Sequence, residues 1–88
     1  MDEKNILSQL EELARSLDIE VRYEQIKKEG TFYAGGLCQL KGEDILIVNS
    51  KATVSDQIQA LAGALKSFNL SQVYMRPALR EFLLKYTG

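Results

Sequence analysis

The chain has 88 residues, of which 45% are hydrophobic and 26% charged; the net charge is −1 and histidine is absent. That balance is one ordinary globular domain with too little positive charge for a duplex-binding protein. Without an imidazole, a Ser-His-Asp or Cys-His site cannot form within one chain, and one cysteine cannot complete a structural zinc site.

The longest apolar run, Ile45 to Val48, is far short of the ~20 residues of a membrane-spanning helix. Met1-Asp2-Glu3-Lys4 lacks the basic start of a signal peptide. The single cysteine points to a reducing, cytoplasmic compartment. Residues 1–30 carry net −3 and residues 31–88 net +2, a mild asymmetry with no functional reading.

Asn5 to Leu17 reads as an amphipathic helix. Ile6, Leu10, Leu13, Ala14 and Leu17 repeat at three and four residues, with Leu7 widening the stripe. Asp18 marks its end. Ile19 to Glu24 alternates strictly, as a strand with one wet face does. Gln25 to Gly30 is polar and reads as a loop. Thr31 to Lys41 reads as a second strand, interrupted at Gly35-Gly36, where a bulge or close backbone approach is expected. Lys41-Gly42-Glu43-Asp44 is a turn, and Ile45 to Asn49, apolar on both faces, is a central third strand. The connection from strand one to strand two is too short for a helix, which predicts an antiparallel sheet.

Thr53 and Asp56 have the capping-box spacing that opens a helix. Its stripe is Ile58, Leu61, Ala62, Leu65 and Phe68, and Asn69 is the expected stop. Gly63 inside this helix costs about 1 kcal/mol relative to alanine, which close packing would offset. Pro77 opens a last helix with Leu79, Phe82, Leu83 and Tyr86 as its apolar face. The prediction is a single α+β domain over residues 1–88: a small three-stranded antiparallel sheet with helices packed on one face, in the order α-β-β-β-α-α.

Cys38 alternates with Gln39 and Lys41, so Cys38 and Leu40 are expected to face the core and the polar pair the water. A reactive thiolate would need a cation or helix N-terminus beside it. Gly30, Gly35 and Gly36 lead into a strand rather than a helix, which argues against a phosphate loop. Tyr74, Arg76 and Arg80 flank Pro77 and form the best polar cluster, a candidate site for an anion or carboxylate. The competing reading is two solvated arginines whose stems cover apolar surface. The acids Glu11, Glu12, Glu20, Glu24, Glu43 and Asp44 read as solvated faces and a turn. No cofactor and no metal is expected.

The stretch from Gly35 to Leu83, GGLCQLKGEDILIVNSKATVSDQIQALAGALKSFNLSQVYMRPALREFL, resembles a family of short, uncharacterised bacterial proteins. The resemblance implies a cytoplasmic bacterial protein and assigns no activity. Ile45 to Leu65 is also similar in layout to the core of the ImmA/IrrE-type metallopeptidases, where a strand ending in Asn precedes a helix bearing HExxH. Here that helix reads Ala60-Leu61-Ala62-Gly63-Ala64, so no zinc-binding or water-activating residue carries over.

Three functions follow as expectations. The first is a non-enzymatic protein-interaction module using a sheet edge, either strand one or Thr31 to Ala34, and a homodimer through that edge. The second is a protein binding a small anionic ligand through Tyr74, Arg76 and Arg80. The third, opposed by the pI of about 5.4, is single-stranded nucleic acid on Phe32 and Tyr33 beside Lys27 and Lys28.

Overall fold

The computed structural model describes residues 2–25 and 35–86. Lys27, Lys28, Phe32, Tyr33 and the segment Thr31 to Ala34 therefore lie outside the described residues. Helix α1 spans Glu3–Ser16; its first turn is capped by the Asp2 carboxylate, which accepts from the Asn5 amide at 2.8 Å. Asp18, at φ 60°, turns the chain out of the helix. Strands β1 (Glu20–Glu24), β2 (Gly35–Leu40) and β3 (Glu43–Asn49) follow, then helices α2 (Val54–Leu65) and α3 (Pro77–Lys85). The α+β class and the element order match the prediction.

The sheet is mixed rather than antiparallel. Its order is β1-β3-β2, with β1 parallel to β3 and β2 antiparallel to it. The short-connection argument assumed that β1 and β2 are neighbours; they occupy opposite edges. β3 is apolar on both faces, and placing it between the other two strands satisfies both its backbone edges. The β2–β3 hairpin turns on Lys41 (φ 53°) and Gly42 (φ 81°) alone, a two-residue turn of the primed kind. Glu43 and Asp44, expected in the turn, already belong to β3.

All three helices cover one face of the sheet. Leu46 and Val48 of β3 are inaccessible there, packed with Leu10, Leu13 and Ala14 of α1, Ile58, Leu61, Ala62 and Leu65 of α2, and Leu79 and Leu83 of α3. Each fully buried leucine contributes about 1.5–3 kcal/mol by leaving water. α2 begins at Thr53, whose hydroxyl accepts from the Asp56 amide at 3.1 Å. Gln57 donates to the Asn49 carbonyl at 3.0 Å and the Lys51 amide to the Asn49 side chain at 3.0 Å, which fixes the step from β3 into α2. α2 ends at Leu65, before the expected stop. The Ser67 and Phe68 amides bond the Ala64 and Leu65 carbonyls in tighter turns, and Asn69 instead accepts from Ser71. The Tyr86 hydroxyl donates to the Gln59 carbonyl at 3.1 Å and the Lys66 ammonium to the Tyr86 carbonyl, tying the end of α3 to α2.

The glycines differ sharply. A Cβ on Gly35 (φ 153°) would sit 2.4 Å from the Ile47 carbonyl oxygen and 3.2 Å from the Ala60 Cβ, so α2 and β3 leave room for no side chain. Gly36 and Gly63 have open space around the same position, and Gly63 is exposed. The close packing expected to offset Gly63 is therefore absent. Gly35→Ala should cost about 2–4 kcal/mol, whereas Gly36→Ala should gain about 0.5 kcal/mol and Gly63→Ala about 1 kcal/mol. Urea denaturation of the three variants checks the ranking; a neutral Gly35→Ala would contradict the close approach.

Candidate functional site

Among the described residues, β2 is an edge strand by its position in the sheet. The pair that closes a two-residue turn, Leu40 with Glu43, exchanges both its hydrogen bonds. In an antiparallel ladder this role alternates, so Leu40, Cys38 and Gly36 spend their backbone groups on β3. Gly35, Leu37 and Gln39 turn theirs outward. The side chains alternate in the same way. Gly35 and Leu37 lie opposite Val48 and Leu46 on the helix-covered face; Gly36 and Cys38 lie opposite Ile47 and Ile45 on the other.

Cys38 is thus exposed, the reverse of the sequence expectation. It shares its face with Leu40, as expected, but the helices cover the opposite face. The sequence could not choose between them, because β3 offers Leu46 and Val48 to one face and Ile45 and Ile47 to the other. The adjacent glycines Gly35 and Gly36 fall one on each face, and only the approach of α2 to Gly35 shows which face is covered. Gln39 lies on that face at the hairpin end, where its amide donates to Asp44 at 3.0 Å. Leu37 and Leu40 keep 40% and 53% of their surface in water, so this edge carries exposed apolar side chains and no charge.

The opposite edge is different. β1 is indeed an edge, as expected of strand one, but it reads Glu20-Val21-Arg22-Tyr23-Glu24 and its Arg22 guanidinium donates to Glu20. Charges along an edge oppose pairing with a further strand. Tyr23 reaches back towards α1. Partial burial, and then the Glu11 carboxylate that accepts its hydroxyl proton, push its pKa up to about 12, with Arg15 offsetting part of the effect.

The candidates Tyr74, Arg76 and Arg80 are divided between two grooves. Tyr74 and Arg76 line a groove of about 380 Å³ between α1 and the start of α3, facing Gln9, Glu12 and Ser16. Arg80 lines a second groove of about 210 Å³ with Lys66, Phe68 and Leu84, and its guanidinium donates to the Val73 carbonyl at 2.6 Å. Arg80 so holds the segment that leads into α3. Arg76 is the N-cap residue of α3, makes no side-chain cap and is exposed, and Tyr74 is almost fully exposed. Glu12 in the first groove opposes an anion there by like charge.

Among the described residues, no group of three or more His, Cys, Asp or Glu side chains could hold a metal ion, and no helix is long and apolar enough to cross a membrane. At the α2 positions compared above with HExxH, Leu61 and Ala62 are core residues and Gly63 faces solvent.

In the folded chain the Tyr23 hydroxyl keeps its proton to about pH 12, against an ordinary value of 10.0. A raised folded value favours folding while the proton stays on. That contribution is complete below pH 10 and is lost as pH rises towards 12. Tyr23→Phe should therefore show a shallower alkaline loss of stability than the native chain over that window. Parallel slopes in paired pH-dependent denaturation series would contradict it.

No protein-family model matches this chain, and searches of the curated proteins and of the solved structures find no match.

Proposed function

We propose that the protein is a non-enzymatic interaction module of the cytoplasm that binds by adding a partner strand to β2. The observation that carries this reading is the contrast between the two sheet edges. β2 presents outward backbone groups at Gly35, Leu37 and Gln39, flanked by exposed Leu37, Cys38 and Leu40 and free of charge. β1 is guarded by Glu20, Arg22 and Glu24. Strand addition takes its affinity from main-chain hydrogen bonds and its selectivity from alternate side chains, and β2 supplies both. The likeness to a family of bacterial proteins and the unpaired thiol support a bacterial, cytoplasmic setting.

Capture from native lysate by dilute tagged protein should retain a partner that is lost with Leu37→Asp and kept with Arg76→Ala/Arg80→Ala. Mass spectrometry of the three captures reads the outcome. A partner that ignores Leu37→Asp and disappears with the arginine variant would replace this reading.

A second reading rests on the groove that Tyr74 and Arg76 share: binding of a small anionic ligand. It requires that an anion raise the melting temperature and that Arg76→Ala abolish the rise. Arg80→Ala, whose contact is to the Val73 carbonyl, should lower the melting temperature with or without the anion. A thermal-shift series with phosphate and small dicarboxylates checks both, and no response to any of them removes the reading.

A further inference from the structure

We propose that the strand added to β2 is β2 of a second copy of this chain, in one antiparallel register with its two-fold axis at Cys38. The proposal rests on the strand-addition reading above and names the partner and the register.

The outward backbone groups restrict the register. A two-fold antiparallel pair must match outward residues with outward residues, so Gly35, Leu37 and Gln39 can pair only among themselves. The fit that would overlap the strands fully, centred between Leu37 and Cys38, matches outward with inward groups and makes no ladder. Two five-residue registers remain. One is centred on Leu37 and needs Gly35 opposite Gln39. Gly35 is held at φ 153° beneath α2, outside regular strand geometry, and this register leaves Leu40 beyond the paired residues.

The register centred on Cys38 meets neither obstacle. Leu37 of each copy exchanges both hydrogen bonds with Gln39 of the other. Leu40, the more exposed of the two leucines of β2, lies beside Gly36 of the other copy, where there is open space for it. Leu37 packs beside the aliphatic stem of Gln39 on the other face. Large meets small where Leu40 faces Gly36, and no two bulky apolar side chains collide across the axis. The dimer would carry a continuous six-stranded sheet, with Ile45, Ile47, Cys38 and Leu40 of both copies on the face opposite the helices.

Charge favours the same edge. β2 has no charged side chain, so pairing with its copy sets no like charges against each other. The register that would use all of β1, centred on Arg22, sets Arg22 against its copy and Glu20 against Glu24. Pairing β1 with β2 of a neighbour is heterologous and would build rings or open chains rather than a two-fold dimer.

The two Cys38 residues form a non-hydrogen-bonded pair with Cα atoms about 4.5 Å apart, within the reach of a disulfide. Cys38 therefore reports the register. With diamide added, the two thiols would give up two protons and two electrons to it and form one Sγ–Sγ bond.

Sedimentation equilibrium of the native chain, Cys38→Ser, Cys38→Asp and Leu37→Asp across a concentration series tests the proposal, with circular dichroism confirming folded variants. The expected result is twice the 9.9 kDa chain mass for the native chain and Cys38→Ser, and the monomer mass for Cys38→Asp, where two carboxylates meet on the axis. Diamide should link the native chain into a dimer at concentrations where Cys38→Ser gives none. A native chain that stays monomeric overturns self-pairing while leaving strand addition to be judged by the lysate capture. A dimer that survives Cys38→Asp, or that diamide cannot link, overturns the Cys38 register; its loss in Leu37→Asp alone would assign the Leu37-centred one. Mass growing beyond the dimer with concentration overturns the closed two-fold pair.

Discussion

β3 is hydrogen-bonded on both edges, and the arrangement of the molecule follows from that requirement. Its Ile45-Leu46-Ile47-Val48 run places apolar side chains on both faces, so it is poorly suited to an edge exposed to water. β1 and β2 take the two sides in opposite directions. The helices then close over Leu46 and Val48, forming a core in which Leu10, Leu61 and Leu65 are also inaccessible. A chain of this length has one such core and little to spare.

This arrangement leaves two unequal edges. β1 lies under α1 and carries alternating charges on its outer face. β2 is pinned at one end by the approach of α2 to Gly35 and at the other by the Lys41-Gly42 turn. Between those points it exposes leucines and a thiol. Hydrogen bonding to β3 uses only every second residue of β2, so the outward groups of the alternate residues are available without any rearrangement of the core. The strand is therefore held in place by contacts that leave its alternate backbone groups facing outward.

The polar cluster around Pro77 illustrates how adjacency in sequence misleads. Tyr74, Arg76 and Arg80 fall within seven residues, and the four-residue spacing of the arginines suggests one helix face. Arg76 precedes the helix in extended backbone, and Met75 is buried between the two grooves. The two guanidinium groups consequently serve different surroundings, and Arg80 is occupied by the Val73 carbonyl.

Much of the fold was legible in the residues themselves. The three-and-four spacing of α1, the cap at Thr53, Pro77 at the start of α3, the alternation of β1 and the double-sided apolarity of β3 are local properties, and each produced the element expected. Strand one was among the edges expected, and β1 is one. Three features were not legible. The parallel pairing of β1 with β3 depends on which strands are neighbours, which no local spacing encodes. The exposure of Cys38 depends on which face of β3 the helices cover, and β3 offers two apolar faces. The division of Arg76 from Arg80 depends on where the backbone enters α3. Residue types and their periods determined the elements and the absence of histidine chemistry. Only the tertiary structure decided which backbone edge and which side chains remain in water, because that depends on how elements distant in sequence share one small core.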